Sequence, residues 1–209
     1  RKTVSFEGLG IWQEKFLGKL ISEKNPNQLP YCKVAADKNS KYFVGSSFSQ
    51  PLHTDEGYTN KYPRYVSLYC DKQAKVGGDS LLFDFSAHYA HFCERFGNEI
   101  QLLFQSDALF VDNLFREESK PLLLNLDFHP TPGITYCATL KKMVCSEKIF
   151  EMFDYMTRFI HDPSNQIKFR LHEKQLLIID NTRLLHGRTA FDIDEPRVLY
   201  RYWFDQREC

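Results

Sequence analysis

The sequence carries no net charge: 27 Lys and Arg balance 27 Asp and Glu over 209 residues. With no basic or acidic excess, a bulk electrostatic partner such as nucleic acid or an anionic membrane surface is not expected. No apolar run approaches the ~18 residues of a bilayer-spanning helix. The opening residues, RKTVSFEG, lack the apolar stretch of a secretory leader. Cysteine occurs at 32, 70, 93, 137, 145 and 209, but never as CxxC. Such irregular spacing argues against a structural zinc site. The even number of cysteines leaves disulfides conceivable; free thiols in a reducing cytoplasm are the favoured reading. Repeats, low-complexity tracts and Pro/Gly/Ser-rich linkers are also missing, so residues 1–209 are expected to form a single domain. The chain begins at Arg1 rather than Met, and its natural start is expected to be missing.

What is present suffices for a core: 43% of residues are apolar and 15% aromatic. Apolar spacing predicts a helix over 7–23, stopped by NPNQLP. A loop-rich stretch follows from 45 to 63. Strands are expected at 64–70 (RYVSLYC) and 80–85 (SLLFDF), then a helix from an N-cap at Ser86 to about Phe96. The stretch 107–145 is ambiguous, with short strands and a lid conceivable, and 146–161 reads as an amphipathic helix. The end is strongly β: IKFRLHEKQ, LLIIDN and RVLYRYWF. Short strands with helices to one side fit a mainly β fold with flanking helices, an antiparallel barrel or jelly roll.

The sharpest local feature is His53-Thr54-Asp55. In an extended segment residues i and i+2 point the same way, so an imidazole nitrogen and a carboxylate oxygen can meet one ion. His186 is the best third ligand, because it follows the apolar strand LLIIDN and precedes a turn expected at Gly187. Two His and one carboxylate leave open positions on an octahedral metal, as in non-haem iron(II) oxygenases. A bare HxD is common, and a loop histidine beside a turn aspartate is the plain alternative. His88 and His91, three apart on a helix, form another conceivable pair, with only Asp84 and Glu94 nearby.

The downstream segments change that balance. PLHTDEGY, VGGDSLLFDF, DNTRLLHGRTAF and RVLYRYWF occur in an order that resembles the TauD/TfdA-like 2-oxoglutarate dioxygenases. That group includes taurine dioxygenase, γ-butyrobetaine and trimethyllysine hydroxylases and clavaminate-synthase-like enzymes. The second and third segments look most like the γ-butyrobetaine hydroxylase branch. The resemblance spans about Gly45–Phe204 and is patchy between 105 and 165. It implies a double-stranded β-helix, the cupin-like jelly roll, with His53, Asp55 and His186 as iron ligands. It also implies that Ser80 and Arg197 hold the distal carboxylate of 2-oxoglutarate, with Arg201 near the cosubstrate or an anionic group of the substrate. A planar guanidinium suits a carboxylate bidentately. Residues 197 and 201 of one strand are expected to face the same side. Arg188 is either structural or turned to the site, Asp180 and Asn181 are expected to orient the strand end or the groups around His186, and Gly77-Gly78 to form a turn that positions Ser80.

The implied chemistry uses Fe(II), 2-oxoglutarate and O2, and hydroxylates or desaturates a small polar or zwitterionic metabolite with release of succinate and CO2. The carboxylate at Asp55 argues against the halogenating relatives, which have a small residue there. The loop EGYTNKYP and the region 105–145 are expected to form pocket and lid. Only 52 residues precede His53, fewer than in many relatives, which weakens the carnitine-pathway assignment in particular. Competing readings are a non-catalytic metal and 2-oxoglutarate binder, a hydroxylase acting on a peptide, and a metal-dependent hydrolase with the same ligands.

Overall fold

The computed structural model describes residues 5–21, 29–38, 45–112, 117–127 and 129–205. A helix, α1 (Phe6–Leu17), leads through β1 (Leu20–Ile21) and β2 (Cys32–Ala35) to β3 (Gln50–His53), β4 (Tyr65–Lys72) and β5 (Ser80–Asp84). Next come α2 (Phe85–Phe96), β6 (Leu109–Asp112), β7 (Glu117–Lys120), β8 (Leu123–Leu124), β9 (Gly133–Ile134), β10 (Lys142–Val144) and α3 (Glu147–His161). The chain closes with β11 (Ile167–Phe169), β12 (Leu176–Asp180), β13 (Leu184–Arg188) and β14 (Val198–Phe204).

Two antiparallel sheets make the frame, a mainly β jelly-roll architecture with flanking helices. The major sheet runs β1-β14-β4-β12, with β2 also on β14, and the minor sheet runs β11-β5-β13-β3. Each sheet is dressed on its outer face. On β14, Tyr200, Tyr202 and Phe204 alternate toward α1, where Tyr202 and Phe204 pack with Leu17 and Phe6 stacks on Tyr200 at 3.7 Å between ring centroids. On the minor sheet, Phe83 and Leu185 join Phe92 of α2 and Met156 of α3 in the largest buried cluster. Burying each such side chain contributes about 1.5–3 kcal/mol. The opposite residues of the same strands, Arg201 and Trp203 on β14 and His186 and Arg188 on β13, are left for the interior. Strand alternation thus separates core from site.

Several boundaries differ from the sequence expectation. The first helix stops at Leu17, before Gly18; positions 22 and 23 of its expected span, and most of NPNQLP, lie outside the described residues. Asp84, not Ser86, caps α2, its carboxylate accepting from the Ala87 N–H, and Ser86 instead donates to that carboxylate at 2.6 Å. Ser146 caps α3 by accepting from the Ile149 N–H. The largest difference concerns β13. The segment around His186 is a full strand between β5 and β3, and Gly187 lies within it rather than in a turn. A Cβ at Gly187 would stand 2.7 Å from the Gln50 carbonyl oxygen. Glycine there reflects the close approach of two strands.

Candidate metal centre

His53 ends β3 and His186 sits mid-way along β13; the two are cross-strand partners in the ladder. Side chains directly opposite each other in an antiparallel pair stand about 5 Å apart at Cβ, and the two imidazole centroids are 4.5 Å apart. Backbone pairing alone brings these histidines together. Nδ1 of His53 lies 2.9 Å from the Pro51 carbonyl oxygen. Donation there puts the lone pair on Nε2, the nitrogen nearer Asp55. The Gln50 side-chain amide lies 3.2 Å from Nε2. Burial, reinforced by the neighbouring His53, pushes His186 down to about 3, so it is neutral at physiological pH. Its Nδ1 is buried without a hydrogen-bond partner, and its Nε2 faces Asp55 at 3.6 Å.

Asp55 reaches the same point differently. It lies just beyond β3, in a turn. Asn181, at the end of β12, grips its backbone: the Asp55 N–H donates to Oδ1 at 2.7 Å, and Nδ2 donates to the Asp55 carbonyl at 3.0 Å and to that of Pro63 at 2.9 Å. The carboxylate is held from β14. Arg201 donates to Oδ1 at 3.1 Å, and the Trp203 indole N–H donates to Oδ2 at 2.6 Å. Burial alone would raise the Asp55 carboxyl; Arg201, followed by His53 and His186, outweighs it and holds the group well below the usual carboxylate range. One ligand atom each from His53, Asp55 and His186 lies within 4.8 Å of the others, the one such cluster among the described residues. A neutral imidazole, a second with its lone pair inward and an ionised carboxylate are the donors that suit iron(II), with coordination positions left open.

A second cationic group lies nearby in the chain. Arg197, only 6% exposed, donates from Nε to the Gln73 side chain at 3.1 Å and to the Gly78 carbonyl at 3.2 Å. Gly77 and Gly78 are both left-handed, at φ 71° and 69°. A Cβ on Gly78 would press to 2.8 Å from the Arg197 side chain. The double glycine therefore makes the turn and seats the arginine. Burial, then the neighbouring Arg188, pushes Arg197 down to about 10, which leaves it cationic at neutral pH. Its terminal nitrogens have no carboxylate partner among the described residues. Ser80, buried at the start of β5, is two residues beyond Gly78 and pairs in register with Arg188.

The model of the taurine catabolism dioxygenase TauD, TfdA family matches residues 23–203. The chain belongs to that family. Among curated relatives of this TauD/TfdA chain, the taurine hydroxylase-like protein SAT17 of Stachybotrys chartarum is 28% identical over 153 residues, covering 68% of this chain and 37% of the relative. Among solved structures, asparagine oxygenase with Fe(II), hydroxyasparagine and succinate superposes with a TM-score of 0.67 at 19% identity, covering 84% of this chain and 56% of that one. The iron oxygenase OrfP, with Fe and α-ketoglutaric acid, gives 0.65 at 15% identity, over 86% and 58% of the two chains. PvcB of Pseudomonas aeruginosa gives 0.67 at 19%, over 98% and 72%. The chain thus spans little more than a third of SAT17 and just over half of asparagine oxygenase.

Within this TauD/TfdA fold a pocket of about 210 Å³ opens beside two of the triad residues, His53 and Asp55, and is also lined by Glu56, Tyr58, Cys137 and Arg201. Expectation and geometry part at several residues. Arg201 is engaged with Asp55, and a bulge between Val198 and Leu199 interrupts the alternation that would have aligned it with Arg197. Asn181 steadies Asp55, not His186. Asp180 pairs with Arg64 at 2.8 Å. Arg188 donates to the Ser46 carbonyl at 2.9 Å and lies over the Phe191 ring. His91 lies within hydrogen-bond reach of the Tyr155 hydroxyl, at 2.9 Å, and His88 of the Asp84 carbonyl, at 2.8 Å; both belong to helix packing. The sequence reading passed over Trp203, Gln50 and Gln73. Of these only Trp203 left a trace, its i+2 spacing from Arg201 on a strand.

Proposed function

We propose that this chain is an iron(II)- and 2-oxoglutarate-dependent oxygenase that hydroxylates a small amino-acid-like metabolite. His53, Asp55 and His186 are the iron ligands. Arg197, with the Ser80 hydroxyl, binds the distal carboxylate of 2-oxoglutarate. The observation that carries the reading is the pairing of two features: a buried two-histidine, one-carboxylate cluster, and a buried, cationic Arg197 whose guanidinium end lacks a protein anion. A charge kept from water without a partner is costly, so an anionic ligand is the natural complement. Bound iron(II), with 2-oxoglutarate and O2, supplies the oxidising power for an unactivated C–H bond, and the products are the alcohol, succinate and CO2. The protein's own part is positional. Arg197 orients the cosubstrate, Arg201 and Trp203 hold the Asp55 carboxylate toward the ion, and Arg201 faces the substrate pocket. The amino-acid class is supported by two structural neighbours, asparagine oxygenase holding hydroxyasparagine and OrfP holding (3S)-hydroxy-L-arginine. Among the described residues no helix is long and apolar enough to cross a membrane. Cys70, Cys93, Cys137 and Cys145 are free thiols, which supports a reducing, cytoplasmic setting.

The test is turnover of an amino-acid and metabolite library with iron(II), 2-oxoglutarate, ascorbate and O2. Substrate-dependent succinate, and a product heavier by one oxygen, is the expected result. Tight 2-oxoglutarate binding without succinate from any candidate would indicate a binding protein instead. Turnover under argon without the ketoacid would indicate a hydrolase. Unchanged ketoacid affinity in Arg197→Ala would remove the clamp assignment.

A further inference from the structure

The loop after Asp55 carries a feature that the oxygenase reading does not use. Glu56 has φ 56°, a left-handed backbone that costs a non-glycine residue about 1 kcal/mol or more. Such a conformation persists where its surroundings impose it, and here they do. The Gly57 N–H donates back to the Thr54 carbonyl at 3.0 Å, and that of Thr59 to the Glu56 carbonyl at 2.9 Å. A Cβ at Gly57 would approach Thr54 Oγ1 and the Tyr136 carbonyl oxygen to 2.5 Å, so the loop sits flush against its neighbours. Lys120, 1% exposed, bolts it down from β7: Nζ donates to the Gly57 carbonyl at 2.8 Å and to that of Thr135 at 2.9 Å. The Asn60 side chain adds a bond to Glu118 at 3.0 Å.

This fixed loop presents Glu56 to the pocket beside His53 and Asp55. The Tyr58 hydroxyl donates to Glu56 Oε1 at 2.7 Å and so orients the carboxylate. Among the described residues Glu56 joins no ion pair, whereas the adjacent Asp55 carboxylate is matched by Arg201. A half-buried carboxylate on a pocket wall, aimed by a tyrosine and left without a counter-charge, is suited to a cation brought by the ligand.

We propose that Glu56 is a specificity-determining residue that binds a cationic nitrogen of the substrate, an ammonium or guanidinium group, and thereby selects amino-bearing compounds. This rests on the oxygenase reading and names the substrate class for the same pocket.

Calorimetry under argon, on protein loaded with iron(II) and 2-oxoglutarate, tests it without turnover. The probes are L-lysine, L-arginine and L-asparagine, their Nα-acetyl forms, and succinamic acid as a compound without a cationic nitrogen. At least one free amino acid should bind the wild-type protein, and Glu56→Gln, which keeps the Tyr58 bond but not the charge, should weaken it roughly 10- to 100-fold. Tyr58→Phe should weaken the same probe by about threefold, within the range of a lost orienting hydrogen bond. The Nα-acetyl arm shows whether the bound nitrogen is the α-amino group or a side-chain cation. Affinity for 2-oxoglutarate should be unchanged in both variants, which also reports that they fold. The proposal is overturned if Glu56→Gln leaves every binding probe within twofold, if only uncharged or anionic compounds bind, or if none of the probes binds. Failure of the oxygenase reading would register separately, as absence of 2-oxoglutarate binding to iron-loaded wild-type protein.

Discussion

The two sheets contribute to the site by different means. The minor sheet delivers His53 and His186 through backbone pairing, as partners across the β3–β13 ladder. The major sheet delivers nothing through its ladder to Asp55, which lies in a turn; Asn181, Arg201 and Trp203 reach across and hold it with side-chain hydrogen bonds. The ladder-placed histidines depend on the integrity of the sheet. The clamp-placed carboxylate depends on a few individual side chains, and those can be altered without disturbing strands. The same division marks the loop beyond Asp55, where Lys120 does for Glu56 what Asn181 does for Asp55.

This contrast can be broken or sharpened by substitution. Asn181→Ala should have the largest effect, because it removes three buried hydrogen bonds and leaves the Asp55 and Pro63 backbone groups unsatisfied; a loss of about 3 kcal/mol is expected in urea unfolding. A loss below about 0.5 kcal/mol would mean that Asp55 is held without this clamp. Gly187→Ala should cost about 2 kcal/mol by overpacking β13 against β3, with iron(II) affinity falling in parallel because the His53–His186 pairing is disturbed. Metal binding retained at full strength would show that the ladder does not place these histidines. Trp203→Phe should separate the two properties, reducing iron(II) affinity about tenfold with little change in the unfolding midpoint. If stability and metal binding fell together, the distinction between ladder and clamp would not hold.

A separate effect concerns pH. Burial pushes Lys120 down to about 7, against 10.5 for an ordinary lysine. The unfolded chain therefore binds more protons than the folded one between those values, and stability rises with pH across that window. The contribution is full above about 10.5 and is lost as pH falls through about 7. Lys120→Met should flatten this part of the stability profile, read as urea midpoints between pH 6 and 10 (about the window set by the two values). A profile with the same slope in both proteins would show that the lysine does not titrate as its burial implies.

Much of the site could be read from the chain because its chemistry is concentrated in short segments. HTD, GGDS and the arginines near the C-terminus are local patterns, and their residue types limit what they can bind. The strand character of β4, β12 and β14 was equally visible, since short runs of apolar, β-branched and aromatic residues are local as well. The strand around His186 was not: LLHGR is short and contains a glycine, which reads as a turn until β3 is seen lying 2.7 Å from where a Cβ would project. The partners of Asp55 were hidden for another reason. Asn181, Arg201 and Trp203 are 126, 146 and 148 residues away, and no local periodicity encodes such distances.

By itself the sequence determined the donor types, a two-histidine, one-carboxylate set with arginines downstream, because side-chain chemistry and i+2 spacing need no fold to be recognised. Only the tertiary structure decided how those donors are held: that His53 and His186 face each other across one ladder, that Arg201 answers Asp55, and that Glu56 stands uncompensated in the pocket. Those are consequences of sheet register and of contacts between distant segments. They are settled when the two sheets close on each other, and not before.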